Sequence, residues 1–185
     1  MNMNMAKNTR KPSRVRFSVG SLFAGCGGMD LGFTQEGFRI SWANDIEHWA
    51  CETYKRNFGD PVIEGDVIKI DFDELPRCDV MLGGFPCQDF SMIWKRKGLG
   101  TERGNLYRHF VRAVSTKRPK VFVAENVKGL LTANKGEAIN QIVKDFGDVG
   151  YRVQVHKVNF ANYGAPQLRE RVLIIGTRND IKKDF

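Results

Sequence analysis

Soft metal ligands are few and scattered in this sequence. Its four cysteines (Cys26, Cys51, Cys78, Cys87) include no C-x-x-C pair, and its three histidines (His48, His109, His156) stand far apart. A zinc site needs such ligands in clusters, so no metal centre is expected. No G-x-G-x-x-G occurs, which removes the usual mark of a dinucleotide-dependent oxidoreductase. No hydrophobic run approaches the roughly 20 residues that cross a bilayer, and no secretory leader is visible. Reduced thiols and a cytoplasmic location are expected on that basis. Internal repeats and low-complexity linkers are missing as well, which leaves one globular domain as the simplest organisation.

What the chain has in excess is positive charge, with 29 Lys+Arg against 21 Asp+Glu and a net charge of +8. That balance suits an anionic partner, nucleic acid first, though a merely basic protein shares it. Lys7, Arg10, Lys11, Arg14 and Arg16 crowd a start that holds little apolar content besides methionine. Residues 1–16 thus read as a mobile basic arm, and residues 17–185 as a single domain. Apolar residues make up 42% of the 185, enough for a sizeable core.

The pattern along that domain is strand, turn, helix, repeated. Phe17–Phe23 reads as a buried strand, Ala24-Gly25-Cys26-Gly27-Gly28 as a glycine-rich turn, and Met29–Phe33 as the start of a helix. This is the opening unit of a nucleotide-type α/β fold, although a glycine turn alone is as often structural. Phe38–Asn44 is a second strand. Asp45 at its end is placed to accept from both ribose hydroxyls of a nucleoside, and it can also be the N-cap of a helix over Ile46–Phe58. Val62–Glu64 is a short third strand. Asp66 beyond it can accept from an exocyclic amine such as that of adenine, or simply hold a turn. The fold class that follows is α/β, a doubly wound and mostly parallel sheet. Its last strand, Val172–Gly176, should run antiparallel to its predecessor, Tyr151–Asn159.

Chemistry concentrates after the fourth strand, Asp79–Leu82. Two glycines and Pro86 turn the chain sharply and present Cys87 at the carboxyl edge of the sheet, where open α/β sheets bind ligands. A free cysteine more commonly just packs, so the neighbours decide. A long polar loop, Asp89–Arg103, carries Lys95, Arg96, Lys97 and Arg103 among glycines. It suits a lid closing over a phosphate backbone, or else a solvated loop. A helix over Leu106–Thr116 leads to the fifth strand, Val121–Ala124, which ends at Glu125-Asn126-Val127. Cys87 and Glu125 therefore share one crevice, and Glu125 is a candidate general acid. Arg169 and Arg171, two apart in an extended segment, point to one side.

In this order the motifs resemble the DNA (cytosine-5)-methyltransferase family, of the bacterial modification-methylase type, over about residues 17–180. Ser21–Gly28 is similar to the family's first cofactor motif, Gly65-Asp66-Val67 to its third, and Gly84–Ser91 to its catalytic motif. Arg103-Gly104-Asn105-Leu106 follows at the family's interval, Glu125-Asn126-Val127 is similar to its glutamate motif, and Gln167–Arg171 to its Q-x-R-x-R motif. The resemblance implies a Rossmann-like methyltransferase fold dependent on S-adenosylmethionine, bacterial or phage-encoded, acting on carbon 5 of cytosine in DNA. It implies that the Cys87 thiolate adds to ring carbon 6 and that Glu125 holds or protonates ring nitrogen 3. Arg169 and Arg171 would hold a cytosine flipped out of the stack. Phe23, Gly25, Cys26 and Gly27 would meet the methionine part of the cofactor. Asp45 would take the ribose, Ile46 the adenine face and Asp66 the adenine amine, with Val67, Pro86 and Leu106 completing the pocket. Gln88, Ser91, Lys95, Arg96, Lys97 and Arg103 would meet DNA.

The chain departs from that pattern in three places. Ser21 stands where the first motif more often has aspartate, next to the cofactor's ammonium region, and Ile46 stands where an aromatic often stacks on adenine. The family also continues past the last strand into a target-recognition domain and further motifs. The expectation is the N-terminal catalytic part of such an enzyme, either completed by a second polypeptide or truncated, with exposed apolar surface where the absent C-terminal motif would pack. The same chemistry on transfer RNA, and a non-catalytic remnant that binds cofactor or DNA, are the competing readings.

Overall fold

The structure, a computed structural model, describes residues 17–86 and 106–183. The expected basic arm, Cys87 and the loop contacts Gln88, Ser91, Lys95, Arg96, Lys97 and Arg103 lie outside the described residues. The elements are β1 (Ser18–Leu22), α1 (Gly28–Gln35), β2 (Arg39–Asp45), α2 (His48–Phe58), β3 (Val62–Glu64), β4 (Val80–Gly83), α3 (Leu106–Lys117), β5 (Val121–Val127), α4 (Glu137–Asp148), β6 (Tyr151–Asn159) and β7 (Glu170–Arg178). They form one sheet of order β3-β2-β1-β4-β5-β7-β6. The first five strands in that order run parallel. β7 runs antiparallel to both β5 and β6, as expected of a strand reached by a short connection.

Strand alternation divides the burial between two faces. Phe122 and Ala124 of β5 face α3 and α4, where Phe110, Phe122 and Phe146 pack with centroids 4.1 to 5.9 Å apart. On the other face, Val19 and Leu82 meet Met29 and Phe33 of α1, and Ala43 and Val62 meet Cys51 and Tyr54 of α2. Helices thus cover both faces, which is the doubly wound arrangement. Among the described residues, no helix covers the α1 side of β5 and β7, where Val121, Val123 and Ile175 line an apolar cavity of about 380 Å³ with Phe17, Phe33 and Phe38. Nor is any helix among them long and apolar enough to cross a membrane.

Several expected boundaries move: β1, β2 and β4 shift by a residue, β7 runs over Glu170–Arg178 rather than Val172–Gly176, and two shifts bear on the site. α2 begins at His48, and its N-cap is Glu47 rather than Asp45, because the Asp45 carboxylate is engaged elsewhere. β5 continues through Glu125 to Val127 because β7 pairs with it over that whole length, ending at Val127 opposite Arg171.

Glycines in the sheet lie under the aromatic layer. A side-chain carbon on Gly176 would stand 1.9 Å from the Phe122 ring, and one on Gly83 would stand 2.5 Å from Phe110. These rings are fully buried and closely packed, so neither can yield cheaply. We expect Gly176→Ala to destabilise the fold by about 1–3 kcal/mol, measured by urea denaturation, with part of the loss recovered in Gly176→Ala/Phe122→Leu.

Candidate active site

The winding reverses between β1 and β4. β1 leads by α1 to β2 on one side, whereas β4 leads to β5 on the other. Crevices open at such a reversal, beyond the carboxyl ends of the strands. Two cavities lie there, of about 530 Å³ and about 480 Å³, and Phe23 and Gly84 border both. Phe23 directly follows β1 and holds φ of 56°, a left-handed value that is uncommon for a side chain of that size and is found at strained functional positions.

The smaller cavity gathers most of the expected nucleoside contacts. Phe23, Asp45, Ile46, Asp66, Val67, Pro86 and Leu106 all line it, although no two of the five segments that supply them are continuous in sequence. Asp45 is aimed by the backbone: one oxygen accepts from Gly25 N–H at 2.7 Å and the other from Glu47 N–H at 2.9 Å. Each oxygen keeps a second lone-pair site for a ligand hydroxyl. Asp66 caps the short helical turn at Val67–Lys69, accepting from Ile68 N–H at 3.0 Å. Asn44 fixes that turn from behind, donating to the carbonyls of Ile63 and Gly65. Gly25 and Gly27 do not line this cavity; Gly25 acts through its N–H on Asp45, and a side chain on Gly27 would collide with Phe58. Cys26 is exposed in the same turn.

The larger cavity is lined by charged groups of both signs. Glu125 stands in β5 on the α1 side of the sheet, and Arg171 of β7 forms an ion pair with it, Nε to Oε1 at 2.8 Å. Arg169 and Glu125 both line the cavity. The two arginines therefore do converge on one side, about Glu125. Glu170 between them is drawn the other way by Lys128 at 2.6 Å and Lys157 at 2.5 Å, which lower its pKa to about 2. Asn159 closes the base of this loop, its Oδ1 accepting from the N–H groups of Ala161 and Arg169.

Sequence reasoning missed two features here. Asn126, buried and one residue past Glu125, donates to the Phe85 carbonyl at 2.9 Å, so β5 holds the turn that leads to Cys87. Ser21 is buried and donates to Asp30 at 2.8 Å, and Tyr54 of α2 donates to the other oxygen of the same carboxylate. The Asn126 link had a sequence signal, a polar residue at an inward position of an apolar strand. The Asp30 link had none, since its three members come from separate elements.

The arrangement places a nucleoside-sized cavity beside a carboxylate held by arginine, at the winding reversal of a mostly parallel sheet. Among solved structures, a DNA modification methyltransferase encoded within an E. coli prophage superposes with a TM-score of 0.77 at 30% identity, over 92% of this chain and 49% of that one. S. pombe Dnmt2 methyltransferase shares the fold at a TM-score of 0.73 and 24% identity, covering 92% of this chain and 53% of its own. The fold is therefore that of the methyltransferases. The sequence model for C-5 cytosine-specific DNA methylase matches residues 17–185, and the chain belongs to that family. It is 57% identical to the Type II methyltransferase M.NgoFVII of Neisseria gonorrhoeae over 98% of this chain and 48% of that protein. It is 40% identical to M.BsuRI of Bacillus subtilis over 92% of this chain and 45% of that protein. The chain thus spans about half the length of these relatives.

Asn126→Ala leaves the buried Phe85 carbonyl without its donor. We expect a loss of about 1–3 kcal/mol in denaturant unfolding, and no such loss for Asn126→Asp where its protonated form can still donate, at low pH.

Proposed function

We propose that this chain is the catalytic part of a DNA (cytosine-5)-methyltransferase that takes methyl from S-adenosylmethionine and works through a covalent Cys87 adduct. The observation that carries the reading is the Glu125–Arg171 pair in a cavity that joins the nucleoside cavity at Phe23 and Gly84. DNA is favoured over transfer RNA as substrate because the matching family is a DNA methylase family, and because a relative 41% identical over 90% of this chain is named DNA (cytosine-5-)-methyltransferase M.ApeKI.

The residues fit the cofactor. Asp45 offers two oriented carboxylate oxygens to a pair of ribose hydroxyls, Ile46 gives an aliphatic face to adenine, and Asp66 accepts from its amine. Side chains on Gly25, Gly28 or Gly65 would meet nothing within 4 Å, so these glycines leave open space for a ligand along the turn. When bound, the cofactor supplies a methyl group on a sulfonium, which is a strong electrophile. Phe23, Ala24 and Gly28, which line the larger cavity, would border its methionine part, whereas Gly25, Cys26 and Gly27 line neither cavity.

Cytosine carbon 5 is too weak a nucleophile to take that methyl unaided. The Cys87 thiolate adds to carbon 6 while Glu125 holds or protonates ring nitrogen 3, and the electron pair moves to carbon 5. Arg171 keeps the Glu125 carboxyl oriented, and Arg169 reaches the same cavity to hold the base. After transfer a base removes the carbon 5 proton, and the carbon–sulfur bond breaks to return the thiolate. The base must leave the stack to be reached, at a cost of a few kcal/mol, and Gln88, Ser91, Lys95, Arg96, Lys97 and Arg103 hold the DNA meanwhile.

The relatives extend about as far again as the part matched here, and the apolar cavity beside Phe33 and Val123, which nothing described covers, is the surface on which a polypeptide corresponding to that further half would pack. We expect a polypeptide corresponding to the second half of such a relative to co-elute with this chain in size-exclusion chromatography, and Val123→Lys to abolish the co-elution. A chain that stays monodisperse and alone in that mixture counts against the partner.

Transfer of labelled methyl to unmethylated DNA tests the chemistry, with the partner added where the chain alone is silent. Cys87→Ala should abolish transfer and keep cofactor binding. Glu125→Gln should lower kcat by about 100-fold or more with cofactor binding unchanged, as loss of a general acid does. Transfer retained in Cys87→Ala removes the cysteine as nucleophile.

A further inference from the structure

Three ionisable side chains line the larger cavity: Asp30, Glu125 and Arg169. Glu125 has its counter-charge in Arg171. Asp30 has none among the described residues. It is 1% exposed, and both its oxygens are met only by neutral hydroxyls, Ser21 at 2.8 Å and Tyr54 at 2.5 Å.

A carboxylate buried in this way is expensive, and it is normally paired with a cation. Burial accordingly raises its pKa, while the Tyr54 and Ser21 hydrogen bonds hold it down. A pin between β1, α1 and α2 needs only hydrogen bonds, which an uncharged amide can make. The charge itself is left without a use inside the fold.

Its position suggests the use. Asp30 lies in the first turn of α1, on the wall formed by Ser21, Leu22, Phe23, Ala24, Gly28 and Met29. That wall begins at Phe23, which also borders the nucleoside cavity. A nucleoside seated there, with its ribose on Asp45, extends its 5′ substituent past Phe23 and Gly84 into the larger cavity. In S-adenosylmethionine that substituent ends in an ammonium and a carboxylate. We propose that Asp30 is the counter-charge for the ammonium group at the amino-acid end of the cofactor. Ser21, in place of the more usual aspartate, then serves to orient a carboxylate supplied nine positions later. The inference rests on the reading of the smaller cavity as the adenosine site.

The test is a cycle of binding measurements by calorimetry, with no turnover required. One axis is the chain against Asp30→Asn, which keeps the size and hydrogen-bonding capacity of the side chain. The other is S-adenosylhomocysteine against its deaminated analogue, in which hydrogen replaces the α-amino group. Loss of the amino group should weaken binding to the unaltered chain at least tenfold, and to Asp30→Asn less than twofold. Tyr54→Phe, which removes a donor and keeps the charge, should retain the tenfold preference. Equal weakening of both ligands by Asp30→Asn assigns the residue a purely structural role and overturns the proposal. So does a preference below twofold in the unaltered chain, a result that stands even if Asp30→Asn does not fold. Failure of the unaltered chain to bind either ligand or 5′-methylthioadenosine overturns the adenosine reading, and this inference with it. Binding of 5′-methylthioadenosine without preference for the amino group overturns this inference alone.

Discussion

The reversal of winding between β1 and β4 is the constraint on which the site depends. Parallel strands whose connections leave in opposite directions cannot close the space beyond their carboxyl ends. Phe23 and Gly84 stand at those two ends and border both cavities. Phe23 meets a backbone demand there, a left-handed φ of 56°, and Gly84 lies against Glu125, whose carboxylate a side-chain carbon on Gly84 would touch at 3.9 Å. The crevice is thus a product of topology, and its walls are set by what the two strand ends can accommodate.

β5 turns that crevice into a reactive one through the two-residue period of a strand. Glu125 faces the cavity, where Arg171 of the neighbouring antiparallel strand meets it, and Asn126 faces inward to the Phe85 carbonyl. One strand thereby places a carboxylate and restrains the turn from which Cys87 emerges. The antiparallel pairing of β7 matters here, because it sets Leu173 opposite Glu125 and Arg171 two pairs further on, on the same face and within reach of the carboxylate. The ion pair is only partly buried, with side-chain exposures of 17% and 24%. Its worth is therefore orientation more than stability.

Much of this was legible in the sequence, for identifiable reasons. β3 and β6 have the expected bounds because apolar periodicity and flanking turns agree there. That Asp45 and Asp66 line one cavity was legible because each stands at or just past a strand end, and strand ends converge in an open sheet, whereas Ile46, Val67, Pro86 and Leu106 were expected there only from the family resemblance. Asp45 was read both as a ligand and as a helix cap. A carboxylate at a strand end fits either role, and only the Gly25 N–H contact, twenty positions back, shows that the cap falls to Glu47. The end of β5 was set short because polar Glu125 and Asn126 do not look like strand, and the partner that extends it arrives more than forty residues later. The Ser21–Asp30–Tyr54 cluster could not be read at all. It joins a strand and two helices, and no local pattern marks which hydroxyl meets which carboxylate.

The central claim is that Cys87 attacks cytosine with Glu125 beside it. The measurement that tests this most directly is trapping with DNA in which 5-fluorocytosine replaces cytosine. Fluorine at carbon 5 blocks the final loss of a proton, so the thioether cannot resolve. With S-adenosylmethionine present, the account predicts a denaturation-resistant protein–DNA adduct that mass spectrometry maps to Cys87 and that Cys87→Ala lacks. Methyl transfer to ordinary DNA with no such adduct, or an adduct on another residue, would contradict it.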